Sequence, residues 1–305
     1  MILNELGIGA PLVAGGNGAT AEVRKARRPL AGVTSAKLKS SLIKTAVCLC
    51  AGITIAVLLF MLGYILVKGV PFLSSSLFSI EYTSDNCSVV PALVNTLIMT
   101  LLALMIACPL GIGSAIYLVE YAGKGNRFVK IVRMTTETLT GIPSIIYGLF
   151  GMLLFVVFLG WGYSILSGAA TVAIMILPTV MRTTEEALLS ISDSYREGSF
   201  GLGAGKLRTV NRIILPAAVP GILSGIILAV GRVVGETAAL IYTSGTVAQI
   251  PQNLLGSGRT LAIHMYVLSS EGLHTNQAFA TAVVLLVMVV AINSFAAVIA
   301  KKIKT

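Results

Sequence analysis

Charge is scarce in this 305-residue chain. Only 11% of its residues are Asp, Glu, Lys or Arg, against about a quarter in soluble domains, while 56% are hydrophobic and the mean hydropathy is +0.92. A soluble fold of this length would not gather its charges into so few clusters, so that class is excluded. Cysteine and histidine are sparse as well. Of Cys48, Cys50, Cys87 and Cys108, three fall in apolar runs and Cys87 stands alone in a polar loop, so no disulfide framework is expected. Cys48-Leu49-Cys50 is too short and too isolated to be a metal site. His264 and His274 have no cysteine or carboxylate pair at ligand spacing and read as loop surface residues. Neither a Ser-His-Asp set nor an H-E-x-x-H run is present, which leaves an enzyme active site without support. A phosphate-binding loop is missing too. Its nearest approach, GLGAGK at 201–206, has Phe200 where the first Gly is needed and Leu207 where Ser or Thr should follow, and it comes after a helix-like segment rather than a strand. No internal repeat is visible. Residues 1–21 lack a basic n-region and do not read as a signal peptide. Residues 1–44 are expected to be a disordered, basic cytoplasmic leader, its Arg and Lys lying on the anionic inner surface of the membrane.

What the chain does have is long apolar runs. About 20 apolar residues cross the ~30 Å hydrocarbon core, and six runs qualify, near 45–67, 92–119, 140–160, 163–181, 217–241 and 277–300. The expected fold is therefore an all-α membrane protein with six transmembrane helices. The second run is over-long and is expected to tilt or kink at Cys108-Pro109. Gly160-Trp161-Gly162 marks a tight turn between the third and fourth. Gly141-Ile142-Pro143-Ser144 reads as a break between a lead-in, where Glu137 follows Arg133 by four residues, and a membrane helix.

With the N-terminus in the cytoplasm, nineteen of the 22 Lys and Arg fall in inside segments and two, Lys68 and Arg259, in outside loops. That is a strong positive-inside bias and places both termini in the cytoplasm of a multi-pass inner-membrane protein. The net charge of +10 is then mostly topology and implies no nucleic-acid partner.

Two polar features remain. Arg182–Pro216 is a long polar interruption that must sit in water between spans, and it reads as a cytoplasmic docking surface. In the fifth run, Arg232 and Glu236 lie four residues apart on one helical face. Charges there are expensive in lipid, and they suit either an ion pair that pins helices together or a cation on the path of an anionic solute. Gly225, Gly231 and Gly235 would thin the surface around them.

The spacing E-x₅-G-x₉-I-x-L-P, carried by Glu197, Gly203, Ile213, Leu215 and Pro216, resembles the EAA loop of ABC-importer permeases. Gly198 and Ser199 stand where that loop has two alanines. The segments GIPSIIYGLFG at 141–151, SYREGSFGLGAGK at 194–206, ILPAAVPGILSGIILAVGR at 214–232 and VGET at 234–237 are similar to PstA-type permeases of phosphate importers, whose sister PstC-type permeases share much of this pattern. The resemblance implies a type I ABC-importer bundle over 45–305, with a coupling loop at 182–216 that docks on a separate ATPase. It implies no cofactor in this chain, because ATP and Mg would be held by a PstB-like ATPase dimer. The other implied partners are a PstC-like sister permease, a PstS-like phosphate-binding protein and the lipid bilayer. Arg232 and Glu236 would line the phosphate path. Molybdate, sulfate or phosphonate is the alternative solute. A secondary transporter is the rival class, and it would have no use for the coupling spacing.

Overall fold

Small residues recur at every fourth position along Val90–Ile116, the helix α2, and they decide what packs where. Ala103, Ala107, Gly111 and Ala115 form a strip that is fully buried or nearly so, the pattern that lets two membrane helices approach closely. The helix it meets is α5, Ile165–Leu189. A Cβ added to Gly111 would lie 2.9 Å from Val180 Cγ1 of α5. In the computed structural model, which describes residues 31–123 and 125–303 with side chains over 40–298 apart from 124, α5 is the central helix. Of its most apolar stretch 78% is buried, against 33% for α2 and 17% for the last helix.

Five helices are long and apolar enough to cross a membrane, and a bent pair makes up to six. The first, α1, spans Ala31–Gly69 and so begins inside the segment read as leader. Residues 1–30, including Arg24, Lys25, Arg27 and Arg28, lie outside the described residues, as do Lys124 and Lys304. The chain divides into two units, Met1–Phe60 and Met61–Thr305. Within the second, the end of α1 packs on the last helix, α11 (Thr275–Ile303), with Tyr64 edge-on to Phe279 at 5.7 Å.

The break expected at Gly141-Ile142-Pro143-Ser144 is present, and the helix beyond it, ending at Phe158, is shorter than the expected third span. Arg127–Thr140, α3, is amphipathic and opens on Asn126, whose side chain accepts the Phe128 N–H at 2.9 Å. It stops at Gly141, and α4, Ser144–Gly151 with a wide turn to Phe158, leaves at 102° to it. Pro143 enforces the break, since it disfavours helical geometry for Ile142 and has no N–H to continue the ladder. The Leu139 carbonyl near the broken end accepts the Tyr147 hydroxyl at 2.8 Å. Gly160 and Gly162, with φ of +67° and +64°, make the turn into α5.

The remaining elements are α6 (Asp193–Gly201), α7 (Lys206–Thr209), α8 (Leu215–Val234), α9 (Ala238–Ile241) and α10 (Leu261–Glu271). A wide turn over Val210–Ile214 joins α7 and α8 into one 29-residue span, Lys206–Val234. Pro216, just beyond that turn, has no proton to offer a carbonyl one turn back, and the ladder loosens there. Two glycines of α8 fix its crossing on α5. A Cβ at Gly221 would meet Ala187 at 2.6 Å, and one at Gly225 would collide with Thr183.

Candidate functional site

The Arg182–Pro216 segment is not one loop. Arg182–Leu189 completes α5 and Lys206–Pro216 opens the α7–α8 span, so only α6 and its flanking turns lie between membrane helices. Hydropathy alone ends the fourth run near 181. The helix continues because its polar residues are partnered: Arg182 bonds Glu186 one turn on at 3.0 Å, and Glu185 forms an ion pair with Arg133 of α3. Arg133 therefore uses Glu185, not Glu137.

Ser192 opens α6 by accepting the Ser194 N–H, and Asp193 in the first turn suits the helix dipole. Its end explains Gly203. The Gly203 N–H reaches the Phe200 carbonyl at 2.9 Å and the Ala204 N–H reaches Ser199 at 3.1 Å, a Schellman pair that needs a left-handed residue between them. Gly203 supplies it with φ of +82°. A Cβ there would touch nothing within 4 Å, so the requirement is conformational and not steric.

The helix has two faces. Tyr195, Glu197, Gly198, Phe200 and Leu202 are exposed, Leu202 at 91%. Arg196 and Ser199, three residues apart, turn inward. Ser199 is buried and shares a hydrogen bond of 2.8 Å with Thr209 of α7. That contact gives the serine a use where the resembled loop has alanine, while Gly198 faces open space. Arg196 reaches further. Its Nη2 donates to Glu120 Oε1 at 2.7 Å and to the Leu188 carbonyl at 3.1 Å, its Nη1 to the Ile191 carbonyl at 3.0 Å, and its Nε to Glu120 at 3.2 Å. Glu120 is buried and Arg196 half-buried, and bonding to Glu120 raises the Arg196 pKa further. Ile213 and Leu215 are half-buried around the fully buried Ile214, which packs with Leu188 and Ala218, while Pro216 is exposed.

The second candidate site changes more. Arg232 and Glu236 do not share a helix face, because α8 ends at Val234 and Gly235 caps it. Glu236 is buried beyond the break, and its Oε1 accepts the Ala239 N–H of α9 at 3.0 Å. Arg232, half-buried, points to α5, with Nη1 3.5 Å from Thr179 Oγ1, and it makes no ion pair among the described residues. A cation without a counter-ion in an apolar span is a functional signal. Around this break the glycines differ: Gly225 is tight against Thr183, whereas Gly231 has nothing within 4 Å.

A family described as "Binding-protein-dependent transport system inner membrane component" matches residues 107–305. The chain belongs to this family. The "Probable ABC transporter permease protein YqgI" of Bacillus subtilis is 34% identical, covering 74% of this chain and 81% of its own. "Phosphate transport system permease protein PstA 1" of Mycobacterium tuberculosis is 37% identical over 68% of this chain and 69% of its own. The corresponding PstA of Haemophilus influenzae is 32% identical over 80% and 88%. Among solved structures, a bacterial ABC transporter involved in alginate import superposes with a TM-score of 0.66 at 18% identity, covering 89% of this chain and 99% of that one. The MetNI methionine ABC transporter gives 0.60 at 20% identity, covering 70% and 95%. At these identities the structural likeness speaks for the fold, and that fold is the type I ABC-importer permease bundle.

Three features of this binding-protein-dependent permease escaped the sequence reading. The Glu120–Arg196 pair joins residues 76 positions apart, and the one hint was a carboxylate at the end of an apolar run. Arg133 pairs with Glu185 of α5, whereas the sequence offered only Glu137, four residues on, as a neighbouring carboxylate. His264 is not a surface residue. It is fully buried on α10, with Nε2 3.2 Å from the Cys87 carbonyl oxygen and its ring edge-on to Tyr82. Cys87 is buried as well, and Arg259, counted as a loop charge, is buried over the Tyr82 ring at 4.6 Å. Among the described residues no group of His, Cys, Asp and Glu could hold a metal ion.

Proposed function

We propose that this chain is the membrane-spanning permease subunit of an ATP-driven importer of inorganic phosphate. The observation that carries the reading is its 32–37% identity to phosphate transport system permeases over most of its length. In this reading both termini and α6 face the cytoplasm, and the exposed face of α6, with Glu197, Tyr195, Phe200 and Leu202, docks on a separate ATPase subunit that holds ATP and Mg. A sister permease completes the pathway, and a phosphate-binding protein delivers the solute from the other side. ATP-driven closure of the ATPase pair moves α6, and the spans alternate between inward- and outward-facing states. Gly203 holds α6 at its set length, and Ile213, Leu215 and Pro216 lead its motion into α8.

Arg232 receives the phosphate. Its guanidinium is permanently charged, can bond two oxyanion oxygens at once, and among the described residues is hydrogen-bonded only to Thr179. Glu236 acts indirectly, by fixing the break at Gly235 through its bond to α9, and so sets where α8 stops beneath the arginine. The test is labelled-phosphate uptake by the complete importer in liposomes. Uptake should require ATP and survive collapse of the proton gradient. Arg232→Gln should abolish it while the complex still assembles with its ATPase subunit, and retained uptake would refute the role of Arg232.

A further inference from the structure

The geometry points to the Arg196–Glu120 pair as the link that converts movement of α6 into movement of the spans. This rests on the reading of α6 as the helix that docks on the ATPase, and it adds the residue that carries the load inward.

The argument starts from what lies between α6 and the bundle. The helix does not pack flush against the ends of α2 and α5. A cleft of about 730 Å³ separates them, lined by Glu120, Tyr121, Ile191, Asp193, Arg196 and Lys206 among others. Across that cleft one side chain makes most of the polar connections. The Arg196 fork holds Glu120, which sits in the last turn of the α2 span, and caps the Leu188 and Ile191 carbonyls where α5 ends. Its remaining bond, to Asp193 Oδ1 at 3.1 Å, stays within α6 and stiffens the lever itself. A charged, forked guanidinium held at four acceptors is far more directional than apolar contact, because each bond fixes an angle as well as a distance. Ser199, one turn on, ties the same face of α6 to Thr209 and hence to α8.

The routes then converge. α2 and α5 pack on each other along the strip from Met99 to Ala115, α8 crosses α5 at Gly221 and Gly225, and Arg232 on α8 is bonded to Thr179 on α5. A displacement of α6 therefore reaches both helices that position Arg232. Arg196 is a positioning residue, because it acts through Glu120 and the carbonyls at the end of α5.

The experiment uses the complete importer reconstituted in liposomes, with phosphate uptake and ATP hydrolysis measured on the same samples and expressed as phosphate imported per ATP. Arg196→Gln and Glu120→Gln should each lower that ratio about tenfold, as expected for loss of a coupling contact. Arg196→Lys, which keeps the charge and loses the fork, should fall between. The double Gln variant should be no worse than either single, since one link can be broken only once. A purely structural role predicts less complex with an unchanged ratio, and that result would overturn the proposal. So would ratios within about twofold of wild type, a difference too small for a coupling contact. Should Arg196→Gln fail to assemble, Glu120→Gln decides alone, because it leaves the α6 sequence intact. Uptake by the wild-type importer without ATP hydrolysis would instead overturn the underlying reading, and the link with it.

Discussion

His264 is buried at the end of the bundle where α2 and α5 begin. Burial, followed by the nearby Arg259 cation, pulls its pKa down to about 3, and its bond to the Cys87 carbonyl offsets little of this. Tyr82 packs edge-on to the ring, and the adjoining Cys87 thiol is pushed up by burial, with the Arg259 cation opposing this and the Glu271 and Asp85 charges adding to it. An unfolded histidine titrates near 6.5, so between about pH 6.5 and pH 3 the unfolded chain binds a proton that the folded chain refuses. The folded pKa is the lower one. Stability is therefore full above 6.5 and falls as pH drops through that window, by up to about 1.4 kcal/mol per unit. His264→Asn removes the titrating group, so thermal melting in detergent should vary less between pH 7 and pH 5 than in wild type. An equal slope would show that the histidine titrates in the fold as it does in the unfolded chain. None of this was visible in a polar loop with a lone histidine, because burial there is set by residues far away in sequence. The glycine of the coupling spacing stood out only by its resemblance to the EAA loop, while its left-handed φ of +82°, which ends α6, was not read from the sequence. Gly235 was legible in principle as the residue that separates Arg232 from Glu236, but a regular helix was the simpler reading of an apolar run.

At the scale of elements, hydropathy found each long span and misjudged the ends that are polar but partnered. α5 has 25 residues, roughly 37 Å at 1.5 Å each, and exceeds the hydrocarbon thickness by about a turn, the turn that holds Glu185 and Glu186. No window of apolar residues can see a turn held by ion pairs. The glycines of α8 present the same difficulty: they look alike in sequence and differ in what surrounds them. Gly225 abuts Thr183 and Gly231 faces open space. Gly225→Val should destabilise the α5–α8 crossing by about 1–3 kcal/mol through overpacking. Gly231→Ala should be neutral or mildly stabilising, because Ala is the better helix former. Melting of the purified permease, followed by size-exclusion recovery after heating, compares the two. Equal losses would mean that the crossing is looser than its geometry indicates.

At the scale of the whole molecule, the charge distribution is the most informative property, and it tolerates errors at every smaller scale. The positive-inside count does not depend on where a span ends to within a few residues, nor on which carboxylate an arginine chooses. The fold brings the basic residues of two separate segments to one end. Arg133 of α3 meets Glu185 at the end of α5, Arg196 of α6 meets Glu120 at the end of α2, and Lys206 lies over the Tyr121 ring at 5.3 Å. The opposite end holds Arg259, buried beneath Tyr82 and so withdrawn from any charge-reading surface. These placements predict the side on which each end labels. In intact cells, a cysteine at exposed Ser84, in the loop before α2, should react with a membrane-impermeant maleimide. A cysteine at exposed Tyr195 on α6 should react only after the membrane is opened. Both tests belong in a background where the exposed native cysteines Cys48 and Cys50 are replaced by serine. Labelling of position 195 from outside would invert the topology, remove α6 from the compartment that holds ATP, and rule out a docked ATPase as its partner.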